Sequence, residues 1–137
     1  VVTLQAIFDR ATAERPFLIR TQSDLDELVE RVRAASADHP CPSIVEITNA
    51  DDPYRSPVLN AGIGADRGFV HENWRPERAT RGAPGATGSV AYDVQGNTAD
   101  VPADREVPLD VVRAVLADHL AHDGRIPPDH PLLNIVS

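Results

Sequence analysis

His119 and His122 stand three residues apart, with Asp118 and Asp123 beside them. Residues at that spacing share a helix face, so two imidazoles and a carboxylate could meet at one metal ion. The surrounding pattern weakens this. There is no H-E-x-x-H, His119 falls on the apolar stripe of its helix, and His122 points toward the stripe's edge. Such a pair is expected to be structural, and no metal or other cofactor is expected. Cys41 in "HPCPS" has His39 close in sequence, but a cysteine between prolines has no helix N-terminus to lower its pKa and no third group to orient a base. In "HEN", strand alternation sends His71 and Glu72 to opposite faces. Ser23, Ser36, Ser43, Ser56, Ser89 and Ser137 lack a G-x-S-x-G elbow. These residues assemble no catalytic constellation, and the chain is expected not to be an enzyme.

"GIGADRG", Gly62 to Gly68, resembles a glycine loop that cradles a pyrophosphate. That loop needs G-x-G-x-x-G between a strand and a helix, because the phosphate sits on unpaired N–H groups at the helix N-terminus. Here the third glycine comes one residue late, and "FVHENW" alternates into Pro76 instead of opening a helix. "PVLNAGI" alternates likewise, so the segment reads as a β-hairpin turning at about Gly64 to Gly68, where glycine supplies positive φ.

The chain has 137 residues, enough for one domain with one core and no covalent staple. A single cysteine excludes an internal disulfide and a multi-cysteine zinc site. The N-terminal stretch shows no basic segment followed by an apolar run, and nothing approaches the ~18–20 apolar residues of a membrane span. A soluble, cytoplasmic protein is expected. Acidic residues number 21 against 13 basic, a net charge of −8 spread along the chain. Nucleic acid is therefore a poor direct ligand, whereas a basic protein partner is permitted.

The elements expected to position these residues follow from periodicity. Leu4 to Asp9 and Pro16 to Thr21 read as strands joined by the polar "RATAER". Ser23 reads as an N-cap with Asp26 at N3, and Leu25, Leu28, Val29 and Val32 recur at helical spacing from about Asp24 to Ala35. Ser43 to Thr48 is a strand, and "NADDPYRS" connects it to the hairpin. Arg75 to Gly88, rich in Pro, Gly and charge, reads as a mobile loop. "SVAYDV" and "TADVP" flank a "QGN" turn, with Val90, Tyr92 and Val94 on one face. Pro108 suits the first position of a second helix whose stripe is Leu109, Val112, Val115, Leu116 and Leu120, with Gly124 ending it. A last short strand lies at about Leu132 to Val136. Connections are too short for crossovers, so the reading is an α+β domain: a mostly antiparallel sheet of about six to eight short strands with two helices on one face.

Three stretches carry a resemblance. "PFLIRTQSDLDELVERV", "PVLNAGIGADRGFVHE" and "VAYDVQGNTADVPADREVPLDVVRAVLADHLAHDGRIP" are similar, in that order, to the first-numbered immunity protein family of bacterial polymorphic toxin systems. The positions that match are Leu25, Leu28, Leu59, Gly62, Gly64, Gly68, Tyr92, Gly96, Pro102, Pro108, Ala114, Leu120 and Gly124, mostly core residues and turn glycines. The chain departs from the family in its tail, "PPDHPLLNIVS", which lacks the family's usual tryptophan, and in the longer loop from Arg75 to Gly88. The resemblance implies a non-enzymatic inhibitor that binds and blocks a cognate toxin domain, often a nucleic-acid deaminase.

Such a toxin's own surface must be basic, which suits an acidic inhibitor. Trp74, the lone tryptophan, shares a strand side with Glu72, and Asp51, Asp52 and Tyr54 precede them in the connecting loop. These five combine expected exposure with the chemistry of an interface and are the candidate toxin-binding residues. The competing readings are a small metal-dependent enzyme using His119 and His122, and a self-associating scaffold that pairs its strand edges.

Overall fold

Ten short strands and three α-helices make up the computed structural model, which describes residues 2–136. β1 (Leu4–Ile7) runs into α1 (Arg10–Glu14), followed by β2 (Phe17–Ile19) and α2 (Gln22–Ala37). The stretch expected to be a plain connection is thus a short helix. Asp9 caps it, accepting from the Thr12 amide at 2.8 Å, a local device that five residues without an apolar period do not advertise. The cap of α2 is Thr21 rather than Ser23. Its hydroxyl accepts from the Asp24 amide at 3.1 Å while Asp24 accepts from the amides of Arg20 and Thr21. Thr21 and Asp24 repeat the spacing of Ser23 and Asp26, and the reciprocal pair forms two residues earlier.

β3 (Ser43–Asn49), β4 (Val58–Ile63) and β5 (Arg67–Asn73) form an antiparallel meander, and the expected hairpin is present with Ala61 opposite Val70. Its glycines serve a different purpose from the one expected. None of Gly62, Gly64 and Gly68 has positive φ. A Cβ on Gly62 would overlap the rings of Phe69 and Tyr92, and one on Gly68 would overlap the Gly62 carbonyl oxygen. Close approach, not turn geometry, requires them.

The segment Arg75 to Gly88 is not wholly a loop. Arg78–Ala79 form β6 against β5, and Arg78, Ala79 and Thr80 are buried. Thr80 Oγ1 accepts from the Val70 amide at 3.1 Å and donates to the Arg105 carbonyl at 2.8 Å. Residues 83–88 are exposed. β7 (Ser89–Val94) and β8 (Asn97–Pro102) form the second hairpin, and a 3₁₀ turn at Ala103–Arg105 leads to β9 (Val107–Pro108), α3 (Leu109–Ala121) and β10 (Asn134–Ile135). Pro108 is the cap of α3 rather than its first residue. Gly124, at φ +84°, donates to the His119 carbonyl at 2.8 Å and ends the helix as expected.

The strand order is β10-β6-β5-β4-β3-β1-β2, with β9 on β5 and the β7–β8 hairpin attached to β3 through one parallel pair, Ser43 and Asp93. The architecture is α+β and mostly antiparallel, as expected. Three of its strands are only two residues long, which lifts the count above six to eight.

Alternation divides the core. Val45, Ile47, Leu59, Ala61, Ile63 and Val70 face α2 and α3. Ile44 and Phe69 face the other way and meet Tyr92 and Val101 of the second hairpin. Tyr92 closes edge-on to Phe69, ring centroids 5.0 Å apart, and its hydroxyl donates to Glu106 Oε2 at 2.6 Å. Burial, with that carboxylate alongside, pushes the phenol's pKa far up and keeps it a donor. No described helix is long and apolar enough to cross a membrane.

Candidate functional site

α3 separates the two histidines. His119 is in the core with its Nε2 unpartnered, and burial lowers its pKa to about 4 against a weaker opposing hydrogen bond to the Gly124 backbone. His122 is exposed, its Nδ1 2.8 Å from the Asp118 carbonyl. The Asp118 carboxylate belongs to another histidine, His130, whose Nε2 lies 2.6 Å from Oδ2. Leu132 N–H donates to His130 Nδ1 at 3.1 Å, so the proton sits on Nε2 and the pair pins the tail to α3. Among the described residues no three of His, Cys, Asp and Glu gather where a metal could bind.

The other sequence candidates also have structural surroundings. Ser36 Oγ donates to the Ile63 carbonyl at 2.6 Å and accepts from the Ser43 amide at 3.0 Å, locking α2 onto the sheet. Cys41 is half-buried. Ser137 lies outside the described residues. His71 and Glu72 do point to opposite faces. His71 lines a small cleft with Asn60, Asp100 and Arg105 behind the sheet, where burial lowers its pKa.

Of the five candidate interface residues, four are at the surface. Tyr54 is 96% exposed, Asp51 and Asp52 are exposed, and Trp74 is 40% exposed. Glu72 corrects the expectation of exposure: it is only 3% exposed. It lies directly across β5–β6 from Arg78, whose Nε donates to Oε1 at 2.8 Å and whose Nη2 lies 2.7 Å from the same oxygen. The Arg78 guanidinium also donates to the carbonyls of Pro127 at 2.6 Å and Ile126 at 3.1 Å. Two contacts to the Glu72 carboxylate and two to backbone carbonyls thus hold the buried guanidinium, satisfying the requirement that a buried ion be both paired and hydrogen-bonded.

Above this pair opens a groove of about 590 Å³. Trp74, Arg75 and Pro76 form one wall and Ile126, Pro127 and Pro128 the other, with Ile135 at the edge, 65% exposed. The Arg125 guanidinium stacks over the Trp74 ring, 5.8 Å from its centroid, and donates to the Arg55 carbonyl at 2.9 Å. That bond ties the loop bearing Asp51, Asp52 and Tyr54 to the groove's mouth. Sequence reasoning found Trp74 but missed Arg78, Arg125, the proline wall and Ile135. The one available signal was opposite charge at both ends of "ENWRPER", the signature of a cross-strand pair if that stretch is read as a tight reversal.

The groove is a largely apolar seat with charged edges, His122 among its lining, which is the composition of a recognition pocket. No curated protein matches the chain. Residues 13–135 match the sequence model of the family described as immunity protein Imm1, and with most of its length covered the chain belongs to that family of immunity proteins.

Proposed function

We propose that this protein neutralises a cognate toxin domain of a bacterial polymorphic toxin system by binding it in the cytoplasm, without catalysis of its own. The toxin acts on nucleic acid, with deamination as the candidate reaction, and presents a basic surface. Family membership across residues 13–135 carries this reading. The acidic balance of −8 supports the sign of the partner's charge. Tyr54 and Trp74, aromatic and exposed beside Asp51 and Asp52, supply anchor chemistry at the contact.

If opposite net charges draw the partners together, association is accelerated at long range and the effect is lost as salt shortens the screening distance. Stopped-flow kinetics with the toxin domain encoded beside this gene tests it. Raising salt from about 50 to about 500 mM should slow association about tenfold and leave dissociation nearly unchanged. An Asp51→Asn, Asp52→Asn variant should lose part of that dependence. Glu72 is left alone because its carboxylate is committed to Arg78. An association rate indifferent to both salt and the two substitutions would remove the electrostatic account, and absence of binding would remove the proposal itself.

A further inference from the structure

The groove beside Trp74 has a local charge opposite to that of the whole molecule. Three arginines line it, Arg75, Arg78 and Arg125, against the single carboxylate of Glu72. Arg78 and Glu72 consume each other, and the rest of the Arg78 fork is spent on the Ile126 and Pro127 carbonyls. Arg75 and Arg125 take part in none of the ion pairs among the described residues. Arg125 makes one backbone hydrogen bond and stacks on Trp74, which orients its guanidinium without neutralising it. The groove therefore holds two cations without an acidic partner, of which Arg125 is oriented by its contacts and Arg75 is exposed, in a chain whose net charge is −8.

Its apolar part is open to solvent on the side that Arg125 leaves uncovered. Trp74 and Ile135 expose much of their surface, and Pro57, Pro76, Pro127 and Pro128 stiffen the lining. A proline-rich lining has fewer conformations to lose, which lowers the ordering cost of association.

We infer that this groove seats an extended segment of the toxin in which a carboxylate is flanked by apolar side chains, with Arg75 and Arg125 receiving the carboxylate and Trp74, Ile135 and the prolines receiving the flanks. This assignment rests on the immunity reading and specifies its contact. Nucleic acid does not fit. Two cations cannot offset the repulsion between a polyphosphate and a strongly acidic protein, because backbone affinity grows with the number of phosphates neutralised. A small carboxylic acid would satisfy the arginines but leave Trp74 and Ile135 uncovered. A segment of a basic toxin meets both demands: the overall fields attract at long range, and the local carboxylate–guanidinium bond acts only after contact.

Trp74 is the only tryptophan, so intrinsic fluorescence reports directly on the seat. Three probes distinguish the sources: an active-site-inactivated toxin domain lacking tryptophan, a capped peptide with one Asp between leucines, and a deoxythymidine oligonucleotide. The toxin and the acidic peptide should each shift Trp74 emission saturably, whereas the Leu/Asn counterpart peptide and the oligonucleotide should not. An Arg75→Gln, Arg125→Gln variant should weaken toxin binding about tenfold, mainly through faster dissociation. Arg75→Gln alone, at an exposed site without a partner, should give a smaller loss with unchanged thermal stability, and Arg15→Gln, remote from the groove, should give none. Toxin binding of unchanged affinity in the double variant, with Trp74 emission unmoved, overturns the groove assignment while leaving the immunity reading intact. A response to the oligonucleotide in place of the peptide overturns it in favour of nucleic acid. If the toxin does not bind the wild type at all, the immunity reading fails and the groove assignment falls with it.

Discussion

Arg78→Ala is expected to remove about 3–5 kcal/mol of folding stability, the cost of leaving one member of a buried ion pair without its partner. Glu72 and Arg78 face each other across β5 and β6, and both side chains are almost wholly excluded from solvent. Truncating the arginine strands the carboxylate beneath the groove and frees the carbonyls of Ile126 and Pro127, which then have no donor from this side chain. Arg78→Met should help little, because it restores volume but not charge. Arg78→Met combined with Glu72→Leu should recover the part of the loss due to the stranded carboxylate and leave the part due to the two carbonyls. Chemical denaturation of the four proteins, read as midpoint shifts at constant slope, checks this. A loss below about 1 kcal/mol for Arg78→Ala would mean that the pair behaves like an exposed surface bridge.

Acid should destabilise the protein through His119. In the folded state burial holds its pKa at about 4, against 6.5 in the unfolded chain. Above pH 6.5 the imidazole is neutral in both states and its full contribution is present. As pH falls from 6.5 toward 4, the unfolded chain takes up a proton that the fold refuses, so stability declines through that window and levels off below it. The loss over the whole window is roughly 3 kcal/mol. His71, whose pKa burial also lowers, adds a slope of the same sign. Denaturant titrations between pH 7 and pH 4 should therefore show a steep fall for wild type and a flatter one for His119→Leu, which keeps the position apolar. Parallel curves for the two proteins would show that His119 is not the group responsible.

The fold was largely written in periodicities of two and near four. Leu59, Ala61 and Ile63 alternate with polar or small residues, and Leu25, Leu28, Val29 and Val32 recur on one helical face; these patterns are local and can be read without knowing what they pack against. α1 escaped because five residues carry no period, and β6 because Arg78 lies among Pro, Gly and charge yet is held by partners brought in by folding. The burial of Glu72 was implied by the alternation that places it on the side of Val70, but its charge argued for the surface, and only the partner across the strand pair resolves that conflict. The groove could not be read locally at all, since its two walls come from Trp74–Pro76 and Ile126–Pro128.

That separation gives the groove a place in time. Ribosomal synthesis is vectorial, and residues emerge at about 5–20 per second. A nascent chain released only as far as Ala121 has the Trp74 wall and the Glu72 carboxylate, but it lacks the carbonyls that Arg78 clasps, the Arg125 that covers the indole, and the β10 strand that pairs with β6. Prematurely terminated products are thus unable to form the seat even when the meander beneath it has folded. Any protection that depends on the groove begins only once translation has passed Ile135, seconds after most of the core is available.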